Sequence, residues 1–182
     1  MQIIAGRLKG RRLIAPDSNE IRPTSARLRE TLFDVLMNEI HGADVLDGFA
    51  GTGAIGLEAL SRGAHAVTFV ENSENALKLV SENIARCEVQ AVTNVIGGKL
   101  PEVFQDVPKS EFDLMFFDPP YGFDETKIGD ILSASLHNLR EDGKIIVETT
   151  KRNAAANVNN VDFVRRVKAG DSALDFYVKK RR

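Results

Sequence analysis

Asp44-Val45-Leu46-Asp47-Gly48-Phe49-Ala50-Gly51-Thr52-Gly53-Ala54-Ile55-Gly56 is the stretch that decides the fold. Its first six residues read as a short strand and its glycines as a turn, and Ile55, Leu57 and Leu60 continue as a helix. From there to the far end, short apolar runs alternate with helical stretches, the mark of βαβ units and a parallel sheet. Ala66–Glu71 reads as the second strand, and Ser73 with Glu74 opens a helix bearing Ala76, Leu77, Leu79, Val80 and Ile84. Val89–Ile96 is the expected third strand, interrupted by Gln90, Thr93 and Asn94. Phe112–Asp118 is apolar on both faces except at Asp113, so it belongs in the sheet centre, and it stops at Pro119-Pro120, which cannot donate to a ladder. Lys144–Glu148 is a fifth strand, entered through an Asp142-Gly143 turn. The link between Val161–Val164 and Ala173–Val178 is too short for a crossover helix, so these two strands must be antiparallel.

The fold class is therefore α/β and Rossmann-like: a mostly parallel seven-stranded sheet ending in an antiparallel hairpin, with helices on both faces. A length of 182 residues suits one domain. Within 1–182, residues 1–24 read as a small N-terminal β extension. Residues 25–40 form a leading helix with Leu28, Leu32, Val35, Leu36 and Ile40 on one face, and 43–182 form the α/β core.

A net charge of -2 conceals a division along the chain. Residues 1–30 hold seven Lys/Arg against three Asp/Glu, and residues 151–182 hold nine against three, which leaves eight basic and twenty acidic residues between them. Basic ends flanking an acidic centre point to a polyanionic partner. No apolar run reaches the roughly eighteen residues of a membrane span, and nothing resembles a signal peptide, so a cytoplasmic protein without a membrane partner is expected. Cys87 is the only cysteine, and no Cys/His cluster has zinc spacing. A metal-free chain in a reducing compartment follows. The chain is read as a monomer.

Gly51-Thr52-Gly53-Ala54-Ile55-Gly56 matches G-x-G-x-x-G between a strand and a helix, where bare glycines let a cofactor approach the amides at the helix start. Glu71 stands 20 positions after Gly51 at the end of the next strand, where a carboxylate accepts ribose hydroxyls. A nicotinamide enzyme shares both features. Asp47, available to an ammonium group, the terminal hairpin and the lack of chain for a dehydrogenase's second domain favour S-adenosylmethionine. The expected cofactor residues here are Asp47, Gly48, Phe49, Ala50, Gly51, Thr52, Gly53, Glu71 and Asn72.

Asp118-Pro119-Pro120-Tyr121 follows the central strand directly and so lies at the carboxyl edge of the sheet, where α/β sites form. An exocyclic base amine delocalises its lone pair into the ring and is a poor nucleophile. The Asp118 carboxylate and the Pro119 carbonyl can each accept one of its hydrogens and aim the lone pair, with Pro119 and Pro120 fixing that geometry in advance. Tyr121 is suited to stacking on a base drawn out of its own stack. These four residues are the expected catalytic group. Cys87 sits within a helix and does not suit nucleophilic attack on a cytosine.

Strand-terminal Asp-Pro-Pro-Tyr, together with the run from Asp47 to Ala59, resembles the class I amino-methyltransferases. Ile3-Ile4-Ala5-Gly6, Gly10-Arg11, Arg22-Pro23-Thr24 and Arg27-Leu28-Arg29-Glu30-Thr31-Leu32-Phe33 resemble the bacterial family that methylates guanine N2 in small-subunit (16S) ribosomal RNA. The likeness runs on to Gly170 and Phe176-Tyr177. It implies ribosomal RNA or the small subunit as partner, RNA contact through Arg7, Lys9, Arg11 and Arg12, and closure over the site by Arg22, Thr24 and Arg27. Such enzymes place Asp or Asn against the adenine after the third strand, whereas Val95-Ile96-Gly97-Gly98-Lys99 offers lysine. Gly98, Lys99 and Leu100 are assigned to the adenine through their backbone. An N6-adenine methyltransferase of RNA or DNA shares the turn, and a non-catalytic RNA-binding protein shares the scaffold.

Overall fold

Every apolar run identified above finds a place in one sheet. The computed structural model describes residues 1–16, 25–107, 112–120, 123–151 and 153–180. In chain order the elements are α1 (Ala26–Val35), β1 (Asp44–Gly48), α2 (Ala54–Ser61), β2 (Ala66–Glu71), α3 (Glu74–Cys87), β3 (Thr93–Gly97), β4 (Phe112–Phe117), α4 (Glu125–Ser135), β5 (Leu139–Thr150), β6 (Val161–Ala169) and β7 (Ser172–Lys179). The strands lie in the order β3-β2-β1-β4-β5-β7-β6. The first five are parallel, and β7 pairs antiparallel with both β5 and β6.

Alternation along the strands divides the interior into two cores. Val45, Phe69, Phe116 and Ile146 pack with Leu28 and Leu32 of α1, Ile55 and Leu57 of α2, and Val80 and Ile84 of α3. Leu46, Val70, Met115, Phe117 and Ile145 face the other way, toward Ile131 and Leu132 of α4. Ser25 caps α1 by accepting the Leu28 amide, and Ser73 caps α3 through the Ala76 amide. No helix among the described residues is long and apolar enough to cross a membrane.

Element ends differ from the sequence reading where local polarity competes with the sheet. Gln90–Val92 form a 3-10 turn, so the third strand starts at Thr93. The fifth strand begins at Leu139, before the expected Asp142-Gly143 turn, because Leu139 pairs with Phe112 and a register irregularity absorbs the extra residues ahead of Lys144. The leading helix stops at Val35, with Leu36 as C-cap. The strand expected over Val161–Val164 continues to Ala169, drawn on by its pairing with β7.

The N-terminal extension closes with one antiparallel bridge, Gln2 to Arg12. Its anchor is Glu58, the only charged side chain in α2 and fully buried. One carboxylate oxygen accepts the Ile4 amide at 2.8 Å and the Arg29 guanidinium at 3.2 Å, and the other accepts the Ala5 amide at 3.0 Å and Arg62 at 2.9 Å. Arg29, also buried, donates to the Gln2 carbonyl at 3.1 Å. Ser61 completes the clamp with its hydroxyl on the Leu8 amide and its carbonyl on the Arg7 amide. Gly6 is obligatory between them, since it has a positive φ and a Cβ there would lie 1.8 Å from the Ser61 carbonyl oxygen. Removing one partner of a buried ion pair leaves an uncompensated charge. Glu58→Ala is therefore expected to cost about 3–5 kcal/mol, roughly 6–20 °C in melting temperature for a chain of this size. Thermal unfolding followed by circular dichroism checks this, and a fall of less than about 2 °C would contradict the buried-pair account.

Candidate active site

The candidate site is built from the glycine turn after β1. Phe49 and Gly51 take positive φ values of 62° and 54°, and Gly53 takes 76° as the N-cap of α2. The Ala50 amide reaches the Val70 carbonyl at 3.0 Å, and the Gly53 amide closes on the Ala50 carbonyl at 2.7 Å. A Cβ on Gly53 would stand 2.7 Å from Val80, which is why the tight turn requires glycine here.

Glu71 holds this turn from the next strand. One carboxylate oxygen accepts the Gly51 amide at 2.8 Å, and the other accepts the amides of Asn72 at 2.8 Å and Ser73 at 3.0 Å. The side chain remains partly exposed, with lone-pair capacity left for a hydroxyl donor. The Gly98 amide bonds the Glu71 carbonyl at 2.9 Å and the Lys99 carbonyl accepts the Val103 amide at 2.9 Å, so these two groups expected at the adenine are engaged within the protein. The Leu100 side chain lies beside Gly48, its Cδ1 3.0 Å from where a Cβ on Gly48 would stand.

Asp47 is enclosed behind the turn rather than open to the cleft, at 2% exposure. Its carboxylate accepts the Gly56 amide at 2.9 Å and so fixes the start of α2. Burial, offset in part by that hydrogen bond and reinforced by Glu71, pushes its pKa up to about 8. Thr52 is buried too, and its carbonyl accepts Asn83 Nδ2 at 2.9 Å. Asn83 also pairs with both backbone groups of Ile14, which ties the N-terminal strap to the glycine turn.

The second half of the site comes from the end of β4. The Asp118 amide meets the Gly48 carbonyl at 3.5 Å, so the proline turn lies against the glycine turn. Asp118 and Pro119 are partly exposed and Pro120 is exposed. The Phe123 amide turns back onto the Pro120 carbonyl at 3.0 Å, and the Phe123 ring meets Phe49 edge to face at 5.3 Å. That pair joins the two turns across the cleft. Tyr121, Arg22 and Thr24 lie outside the described residues.

The basic residues separate into two places. Arg27 is exposed beside Gly170, whose added Cβ would lie 3.5 Å from the Arg27 Cδ, at the corner where β6 and β7 meet on the carboxyl edge. Arg7 and Lys9 are exposed at the opposite end of α2, next to Ser61. Arg11 binds the Arg86 carbonyl at 2.5 Å and pairs with Glu88 beyond the end of α3. Arg12 is exposed across from Gln2.

Three residues escaped the sequence reading, each leaving a signal. Glu58 is the one charge in an otherwise apolar helix, Asn83 is a polar residue on the buried face of α3, and Phe123 is an aromatic just past the proline turn.

Comparison with known proteins places the chain among relatives. Residues 1–178 match the family model described as Conserved hypothetical protein 95. The chain is 37% identical over 153 residues to Ribosomal RNA small subunit methyltransferase D of Haemophilus influenzae, covering 83% of this chain and 79% of that one. It is 33% identical to the Putative rRNA methyltransferase YlbH of Bacillus subtilis, covering 81% and 82%. Among solved structures, the Putative methyltransferase yhhF from Escherichia coli superposes with a TM-score of 0.86 at 30% identity, over 100% of this chain and 99% of that one.

The raised pKa of Asp47 fixes the sign of a stability effect. Between its ordinary value of 3.8 and about 8, the folded protein keeps a proton that the unfolded chain has released. This residue's contribution therefore falls as pH rises through that window and levels off above it. Asp47→Asn should flatten the decline in melting temperature over that range and raise it most at the alkaline end. A scanning calorimetry series with the same slope in variant and parent would contradict the assignment.

Proposed function

The chain belongs to the family of bacterial small-subunit ribosomal RNA methyltransferases, and we propose that it transfers a methyl group from S-adenosylmethionine to the exocyclic N2 amine of a guanine in that RNA. The observation that carries this reading is the contact of the two turns: Asp118 begins where the Gly48 carbonyl ends, so a cofactor in the glycine turn and an amine at Asp118 would be neighbours.

The cradle suits the cofactor. A turn of glycines with positive φ exposes backbone, and Glu71 offers a pinned and partly exposed carboxylate to a ribose diol. Asp47 sets a buried acidic group behind the turn, and Leu100 lends an apolar wall. When bound, the cofactor supplies an electrophilic methyl group on a sulfonium.

The chain's own residues do the rest. Asp118 accepts one N–H of the amine and the Pro119 carbonyl the other, which draws the nitrogen toward a tetrahedral shape and directs its lone pair at the methyl carbon. Once the amine has taken up the methyl group, its surplus proton would leave to Asp118 or water. Tyr121 stacks on the flipped base. Arg27, at the carboxyl edge, is suited to the phosphates beside the target, and Arg7, Lys9 and Arg11, on the N-terminal strap, to phosphates elsewhere on the RNA.

Labelled S-adenosylmethionine offered to unmodified small subunits, naked RNA and DNA, with digestion to nucleosides, tests the proposal. N2-methylguanosine from RNA or subunits is expected, and Asp118→Ala is expected to lower its rate by about 100-fold or more. N6-methyladenine would overturn the substrate assignment, and no transfer to any acceptor would leave an RNA-binding protein on a methyltransferase scaffold.

A further inference from the structure

β5 is longer than its neighbour at the carboxyl edge. The β4–β5 ladder ends with Phe117 opposite Val147, while β5 runs on through Glu148, Thr149 and Thr150. Glu148 is therefore the residue beside Asp118, one step past the last ladder pair. Strand alternation puts Glu148 on the face of Ile146, and across the antiparallel ladder it stands opposite Leu174. Ile146 and Leu174 are buried in the α1-side core. Glu148 continues that face beyond the core and is only partly buried.

Its carboxylate is held in place. Oε1 accepts the Ser172 hydroxyl at 2.7 Å, and Ser172 opens β7 directly after the Gly170 corner on which Arg27 rests. Glu148 sits at the carboxyl edge, oriented by Ser172 and in register beside the residue proposed to hold the amine.

We infer that Glu148 is the residue that selects guanine, accepting its N1–H while Asp118 and Pro119 take the N2 hydrogens. The inference rests on the proposed function above and assigns its base specificity. Guanine presents N1–H next to its N2 amine, two donors side by side, whereas adenine presents an unprotonated N1 next to its N6 amine. A carboxylate opposite N1 attracts the first and repels the second, so one side chain provides both recognition and rejection. Asp118 and Pro119 cannot make this distinction, because both bases offer them the same pair of amine hydrogens.

Glu148→Gln keeps the side-chain length and an oxygen for Ser172, but loses the charge and can donate to an unprotonated N1. Small subunits are reconstituted with either guanine or 2-aminopurine at the methylated position; 2-aminopurine retains the amine but lacks N1–H. The parent enzyme is expected to prefer guanine, and Glu148→Gln to lose about 5–150-fold in kcat/KM for guanine, with that preference shrinking by a similar factor. Its KM for S-adenosylmethionine and its melting temperature should match the parent. Ser172→Ala, which only loosens the carboxylate, should shift the preference in the same direction by less, and it serves as the readout if Glu148→Gln unfolds. An unchanged guanine preference in the folded variants overturns the inference. Failure of the underlying function would be seen separately, as a parent enzyme that makes no N2-methylguanosine.

Discussion

Gly48 stands where β1 and β4 end side by side, and a Cβ there would lie 2.5 Å from the Phe117 ring. The absence of that atom lets the glycine turn and the proline turn share one edge. The strand order supplies the crevice: from β1 the chain winds outward through β2 and β3, then returns to β4 on β1's other side. Loops leaving the carboxyl ends of β1 and β4 therefore diverge, and a cleft opens between them. The Phe49 backbone, with its positive φ, turns the chain out of β1 at this point, and the Phe49–Phe123 contact spans the gap.

Polar groups hold the turns from behind. Glu71 gathers three backbone amides of the glycine turn and the start of α3, Asp47 fixes the start of α2, and Asn83 connects the Thr52 carbonyl to the N-terminal strap. Glu58 does the same for α1, since Arg29 reaches it from that helix while Ile4 and Ala5 reach it from the strap. A buried ion pair is weak as a source of net stability, because desolvation consumes most of the Coulombic gain. Its consequence here is register, for it fixes how α1 lies on the sheet and so where Arg27 meets Gly170.

The sheet was legible because its signals are local. A run apolar on both faces marks a central strand, and a link too short for a crossover forces an antiparallel hairpin, so β4, β6 and β7 could be placed from residues alone. The ends of β3 and β5 could not, because they depend on partners: a 3-10 turn takes Gln90–Val92, and Phe112 draws Leu139 into the ladder ahead of Gly143. At the candidate site the motifs revealed which residue types gather at the carboxyl edge. They did not reveal that Asp47 is sealed under the turn, or that Gly98 and Lys99 spend backbone groups within the protein. Those are properties of packing in three dimensions, as is the union of Glu58, Arg29 and the strap across more than fifty positions of chain.

On the proposed reading, one edge of the sheet divides its work, with the glycine turn and Glu71 for the cofactor and the Asp118 turn for the amine. Calorimetric titration of S-adenosylmethionine into the parent protein, Glu71→Ala and Asp118→Ala measures that division most directly. Binding to the parent, marked weakening in Glu71→Ala and near-parent affinity in Asp118→Ala is the expected result. Equal loss in the two variants, or no binding to the parent, would contradict it.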